Sequence, residues 1–148
     1  MSWRVAMDRA LSPAGLTNAQ YAVLASLHGM SRAGARPSQR ELGEASGLEP
    51  MYVSKLVRSL ESAGLLRRDR DPADPRAFRV ALTTRGTQVT EAAAGIVRGL
   101  LEELLAPLGG AGSAPSRELN QVLQALAGHA AAVNRAGRAA GEGKERTP

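Results

Sequence analysis

A mainly helical fold carrying one small β-hairpin is what this sequence predicts, and three observations predict it. The 148 residues are 43% apolar but only 3% aromatic, so the core must be built from Leu, Val and Ala, and Leu and Ala are good helix formers. Twice a hydroxyl residue is followed three positions later by Gln or Glu at the head of an apolar-periodic run: Thr17 with Gln20, and Ser38 with Glu41. One stretch alternates like a strand, Phe78, Val80 and Leu82 with Arg79, Ala81 and Thr83 between them, just after the turn-forming "DPADPR".

In chain order, Val5 to Leu11 form a short helix that ends near Pro13 and Gly15. Thr17 opens a second helix, with Tyr21, Leu24 and Leu27 or His28 at helical spacing and Gly29, Gly34 and Pro37 as punctuation after it. Ser38 opens a third, which breaks at Gly47. Pro50 suits the first turn of a fourth, whose inward stripe is Val53, Leu56, Val57 and Leu60 and whose end is marked by Gly64. Leu65 to Arg70 is the first arm of the hairpin and the run from Phe78 is the second. Thr83 or Thr84 then caps a long helix over residues 86–108, in which Val89, Ala93, Ile96, Leu100 and Leu104 share a face widened by Val97, Leu101, Leu105 and Leu108. "GGAGSAP" is a loop, and a last helix carries Leu119, Val122, Leu123, Leu126, Ala130 and Val133. The polar residues 137–148 have nothing to bury and are expected to be disordered.

The length fits one domain over 1–148. A net charge of +5 points to a polyanionic partner, nucleic acid or a membrane surface. The absence of cysteine excludes disulfides, thiolate metal sites and thiol redox sensing. The start, "MSWRVAMDRALSP", has no long apolar segment of the signal-peptide kind, so a cytoplasmic protein without a membrane partner is expected. Glu91, Arg98, Glu102 and Glu103 interrupt the wide stripe of the long helix, which therefore reads as a dimer seam rather than a membrane span.

Two short helices joined through a glycine-containing turn are the sequence image of a helix-turn-helix. With Val53, Leu56, Val57 and Leu60 inward, the fourth helix presents Met51, Ser54, Lys55 and Arg58 outward, with Tyr52 on the flank. An apolar, hydroxyl and cationic face of this kind suits a major groove with its thymine methyls, acceptor edges and flanking phosphates. Any surface helix also shows Lys and Arg outward, so this face alone decides nothing. The hairpin that follows breaks the tie, because a two-stranded ribbon directly after the second helix of the pair is the wing of a winged helix. Asp71-Pro72 and Asp74-Pro75 shape its tip, Arg76 is placed to enter a minor groove, and Arg67, Arg68, Arg70 and Arg79 are expected to bind or steer toward phosphates. Asp74 is expected to hold Arg76 extended by a charge-assisted hydrogen bond.

From Leu16 to about Leu108, the segments "LTNAQYAVL", "SQRELGEASGLEPMYVSKLVRSLESAGLLRR" and "DPADPRAFRVALTTRG" resemble the multiple-antibiotic-resistance-regulator (MarR) family of bacterial transcription factors. The resemblance implies a winged-helix homodimer in which terminal helices of two chains interlock. Each lobe then lays a recognition helix in a major groove and a wing in a minor groove of double-stranded DNA, at a pseudo-palindromic operator. The positions it implicates are Ser38 and Gln39 at the start of the third helix and Met51, Tyr52, Ser54 and Lys55 on the recognition helix. In the wing they are Asp74 and Arg76; Arg58 and Arg70 join them on the residue reading. Residues 17–84 would form the DNA-binding lobe, and 1–15 with 85–136 the dimerisation helices. Members are usually repressors, and many release DNA when a small amphipathic or aromatic, often anionic, molecule binds between the lobes and the dimer helices. This sequence departs from the pattern in a shorter first helix, in Lys55 where arginine is common, in Pro75 where a second basic residue is common, and in Arg58 at a place often acidic.

Trp3, Arg4, Tyr21 and His28 are candidate effector contacts, with packing, solvation or a dimer contact as the plainer readings. His28 and His129 are too far apart in sequence for metal-ligand spacing, and no cofactor is implied. No nucleophile sits beside a base, and no glycine-rich phosphate loop, G-x-S-x-G or H-E-x-x-H occurs, so an enzyme is not expected. Two rival readings remain: a DNA-binding regulator that answers to no effector, and a winged helix used to dock an acidic protein.

Overall fold

The computed structural model describes residues 2–126 and 129. Their contacts divide into two compact units, one reaching to Leu100 and one starting at Leu101. Helices α1 (Trp3–Leu11), α2 (Asn18–Arg32), α3 (Gln39–Ser46) and α4 (Pro50–Ser62) lead to two strands, β1 (Leu66–Arg70) and β2 (Phe78–Leu82), and then to α5 (Thr84–Leu105). Single 3-10 turns follow α1 at Ser12–Ala14 and α5 at Ala106–Leu108, and a last helix, α6, is described over residues 114–126. The expected class, mainly helical with one hairpin, is the observed one. Ala130, Val133 and the 137–148 tail lie outside the described residues, as does the end of the 85–136 segment.

Local chemistry explains the boundaries. At Thr17 the hydroxyl oxygen accepts the Gln20 N–H at 3.2 Å while the Gln20 side-chain oxygen accepts the Thr17 N–H at 2.9 Å. Such a reciprocal pair satisfies two of the four N–H groups a helix start leaves open. Thr83, not Thr84, caps α5, accepting the Gly86 N–H at 2.9 Å. The Thr83 hydroxyl also donates to the Gly64 carbonyl at 2.7 Å, which ties the start of α5 to the turn after α4. Several boundaries differ from expectation, and α1 starts at Trp3 rather than Val5. Helix α2 runs through Gly29 to Arg32, because the burial of Val23, Leu24 and Leu27 outweighs a glycine penalty of about 1 kcal/mol, and the chain turns only at Gly34, φ 79°. Helix α5 begins at Thr84 rather than Gly86 and tightens into a 3-10 turn at Ala106–Leu108, where Pro107 lacks the N–H an α-turn needs.

One apolar core holds the first unit together. Leu11 from α1, Val23, Leu24 and Leu27 from α2, Leu42 from α3 and Val53, Val57 and Leu60 from α4 are all essentially inaccessible. Burying a Leu or Val fully is worth about 1.5–3 kcal/mol. The foot of the hairpin joins the same cluster through Leu66 and Val80. The strands pair antiparallel with Leu66 opposite Leu82 and Arg70 opposite Phe78. A third extended segment lies along the free edge of β2, where Ser38 bridges to Arg79 and the Val80 N–H donates to the Pro37 carbonyl at 2.9 Å.

In the second unit, Ser113 caps α6 by accepting the Ser116 N–H at 3.2 Å, and the buried Ser116 hydroxyl donates to the Gly110 carbonyl at 2.7 Å. Leu119, Val122, Leu123 and Leu126 of α6 are exposed, although their spacing makes one apolar stripe. No helix among the described residues is long and apolar enough to cross a membrane.

Of the described glycines, Gly86 makes the closest approach to a neighbouring backbone. A Cβ there would stand 1.7 Å from the Leu65 carbonyl oxygen, so α5 could not seat against the start of β1. Gly86→Ala should therefore cost about 3 kcal/mol or more, at the upper end of overpacking penalties. Gly29→Ala, with nothing within 4 Å of its Cβ, should stabilise by about 0.5–1 kcal/mol through helix propensity. Urea unfolding of the two variants measures both.

Candidate nucleic-acid interface

Helix α3 ends at Gly47, whose φ of 67° is the left-handed conformation that lets the chain turn tightly into α4. Because Val53, Leu56, Val57 and Leu60 are drawn inward, the opposite face of α4 has nothing of this chain to cover it. Met51 is 82% exposed and Tyr52 45% exposed, and Lys55 and Arg58 are also outward, with Ser54 half-buried. Arg58 donates to the Ser54 hydroxyl at 3.5 Å, a marginal contact. Met51, Tyr52 and Lys55 make no side-chain hydrogen bond or ion pair among the described residues. At the start of α3, Ser38 and Gln39 are half-buried, and Ser38 is engaged in its cap: its N–H donates to Glu41 Oε2 at 2.6 Å and its hydroxyl accepts the Glu41 N–H at 3.2 Å.

The hairpin carries five arginines, and four of them have internal partners. Arg67 pairs with Asp69 at 3.1 Å. Arg68 reaches back to Glu61 of α4, with Nη2 at 2.6 Å and Nε at 2.8 Å from the same carboxylate oxygen. Arg70 donates to the Pro75 carbonyl at 3.2 Å, and both Arg68 and Arg70 lie over the Phe78 ring, 5.6 and 5.8 Å from its centroid. Arg79 pairs with Asp71 at 2.7 Å and with Glu41 of α3 at 3.3 Å, and donates to the Arg36 carbonyl at 2.9 Å. Intramolecular carboxylates thus already hold the guanidinium groups of Arg67, Arg68 and Arg79, which were expected to bind or steer toward phosphates. Of the five, only the guanidinium of Arg76 has no partner among the described residues.

Arg76 stands on a hydrogen-bonded tip. The Asp71 carboxylate accepts the Ala73 N–H at 2.9 Å, and the Asp74 carboxylate accepts the Arg76 N–H at 2.9 Å. The Ala77 N–H closes a turn onto the Asp74 carbonyl at 3.0 Å, with Pro75 at the position where its fixed φ is favourable. Asp74 therefore orders the backbone of Arg76 and, contrary to expectation, does not touch its guanidinium.

Two acids are tuned by this scaffold. The Ala73 N–H, then the bond from Arg79, holds the buried Asp71 carboxyl below its ordinary value. The Ser38 backbone and hydroxyl, with a smaller contribution from Arg79, do the same for Glu41. Away from the hairpin, burial pushes the Tyr21 hydroxyl up, partly offset by the nearby Arg98 cation. His28 Nε2 lies 3.9 Å from a Glu91 carboxylate oxygen. Trp3 and Arg4 are exposed on α1, and no hydrogen bond or ion pair joins them to Tyr21 or His28. Among the described residues no group of three His, Asp or Glu side chains is placed to hold a metal ion.

A model of the MarR family matches residues 16–78, the stretch that contains α2, α3, α4, β1 and the hairpin tip and ends at the first residue of β2. YdcH of Bacillus subtilis (strain 168), an uncharacterized HTH-type transcriptional regulator, is 34% identical over 96 residues, which span 65% of this chain and 65% of that protein, slightly under two thirds of its length. Over this stretch the chain is similar to the MarR family. Among solved MarR-like folds, the transcriptional regulator MosR of M. tuberculosis, in complex with DNA, is 29% identical, with 86% of this chain and 87% of that one covered at a TM-score of 0.64. CouR of Rhodococcus jostii, bound to p-coumaroyl-CoA, is 28% identical with 83% and 80% covered at a TM-score of 0.65.

What sequence reading missed in this MarR-like chain is that one carboxylate serves two elements. Glu41 is legible as the capping partner of Ser38; its second role, against Arg79, spans 38 positions and leaves no local signal. The stability that Asp71 and Glu41 contribute should be fully present above their ordinary values of 3.8 and 4.5, and should be lost as pH falls through the lower values they hold in the folded protein. Asp71→Asn should accordingly flatten the acid limb of a stability–pH curve below about pH 4, as thermal unfolding at a series of pH values would record.

Proposed function

We propose that this chain is a sequence-specific, DNA-binding transcriptional regulator that acts as a homodimer, most simply a repressor. The observation that carries the reading is the single unpaired arginine of the hairpin, Arg76, held on an ordered tip while its four neighbours are internally engaged. A solvated hairpin has no reason to keep one cation free and rigid; a hairpin whose tip enters a minor groove does. The open face of α4, with Met51, Tyr52, Ser54, Lys55 and Arg58, supplies the major-groove half of the contact, and Ser38 and Gln39 stand at the phosphate-facing start of α3. MosR, which shares this fold, was solved on DNA.

In this reading residues 17–84 are the DNA-binding lobe, and segments 1–15 and 85–136 pair two chains. The exposed stripe of α6 favours pairing, since an apolar row of this kind on a helix surface calls for a partner. Two-fold symmetry then sets two recognition helices about one turn of DNA apart, on a pseudo-palindrome. An effector would act by favouring a spacing of the lobes that misfits successive grooves. CouR binds an aromatic acyl thioester, and here the half-buried Tyr21 beside the Arg98 cation offers a ring and a charge to an amphipathic aromatic anion.

Against a duplex enriched by the protein from a random library, sedimentation should give two chains per duplex. Arg76→Ala should weaken binding about tenfold or more on every enriched sequence, lowering the log–log salt slope by about 0.9 for each phosphate that the variant leaves unneutralised. Tyr52→Ala and Lys55→Ala should instead shift which bases are preferred, at about 1–3 kcal/mol for each side chain that reads a base. Unchanged affinity with Arg76→Ala would remove the wing from the interface. For the effector, a thermal-shift panel of aromatic acids and their acyl-CoA esters should raise the unfolding midpoint for at least one member, by about 2.7 kcal/mol of stabilisation at a hundredfold excess over Kd. A flat panel would leave a regulator without this class of ligand.

A further inference from the structure

Arg79 is the one side chain of the hairpin that reaches three separate elements. Its Nε donates to Asp71 Oδ2 at 2.7 Å, at the point where β1 gives way to the tip. Its Nη1 donates to the Arg36 carbonyl at 2.9 Å, in the segment before α3, and to Glu41 Oε2 on α3 at 3.3 Å. Each acceptor is itself fixed. Asp71 is 8% exposed, and its other oxygen accepts the Ala73 N–H that begins the tip turn. Glu41 Oε2 also accepts the Ser38 N–H at 2.6 Å, as part of the cap of α3. Backbone pairing of β2 with Pro37 and Ser38 holds the same two elements side by side.

From this arrangement we infer that Arg79 is a positioning residue for DNA binding: it locks the attitude of the wing tip to the helix-turn-helix, so that Arg76 and the face of α4 meet the duplex as one rigid unit. The inference rests on the DNA-binding reading above and adds a residue to it. The local charge argues for positioning over phosphate contact. Two carboxylates surround one guanidinium, so the cluster as a whole carries about one negative charge, which a phosphate would be repelled by. A planar fork with several donors can satisfy three acceptors at once, whereas an ammonium group cannot reproduce that geometry. If the lock is absent, the wing must be ordered during binding, and the ordering is subtracted from affinity.

The test uses the full chain and a duplex that it has enriched from a random-sequence library, with affinity read by fluorescence anisotropy over a salt series. Arg79→Ala should weaken binding about tenfold by removing this preorganisation. Arg79→Lys should remain almost as weak, although its charge is restored. Glu41→Gln keeps the cap, because glutamine serves at that position, and removes a negative charge near the DNA, yet it should weaken binding. In the Arg79→Ala background, Arg76→Ala should cost far less than in the wild type, because the two act as a unit. The salt slope should change by less than the roughly 0.9 that one phosphate contact contributes. Full rescue by Arg79→Lys, tighter binding by Glu41→Gln, or additive losses for Arg76→Ala and Arg79→Ala would each overturn the assignment, and an unfolding curve for Glu41→Gln keeps a folding defect from being mistaken for support. A library that enriches no duplex at all would overturn the DNA-binding reading itself, and this inference with it.

Discussion

The foot of the hairpin is buried in the same apolar cluster as the helices, and the rest of the site depends on that shared core. Leu66 and Val80 stand at 2% and 1% exposure beside Leu42 of α3 and Val53 and Val57 of α4. A two-stranded ribbon alone is marginal in water. Once its foot is inside the core, the ribbon becomes a stiff extension of the helix-turn-helix. The Gly86 approach to Leu65 and the Thr83 bond to Gly64 then let α5 leave this junction with no intervening loop. Stiffness at the foot is what gives meaning to the position of a side chain at the tip.

On that scaffold the charges of the hairpin divide into two kinds. Arg67, Arg68 and Arg79 meet carboxylates of their own chain, and Arg68 and Arg70 flank the half-exposed Phe78 ring. Exposed pairs of this sort add little stability each. Their stronger effect is on where the chain points: Glu61 fixes β1 to α4, and Glu41 fixes β2 to α3. Arg76 stands apart from that network, and so does Lys55 on α4. Pairing within the hairpin leaves Arg76 as its one arginine without an internal partner.

Much of this was legible along the chain. The capping pairs of Thr17 and Ser38, the inward stripe of α4 and the Asp-Pro tip are local signals, since each involves residues within a few positions of one another. The helix running on through Gly29 was not legible, because burial of the α2 stripe overrode the weak local preference of one glycine. Nor were the partners of Arg68 and Arg79, which lie 7 and 38 residues away. Sequence sees an arginine in a strand and a glutamate at a helix start, and nothing in either reveals that the two side chains meet.

The sequence by itself determined the element order, the helix caps, the turn at the tip and the presence of an arginine on it, because these follow from backbone preferences and short-range hydrogen bonds. Only the tertiary structure decided which cations are engaged and which remain open. Electrostatic pairing depends on distance in space, and folding brought Glu41 and Glu61 to guanidinium groups that local pattern had left facing solvent.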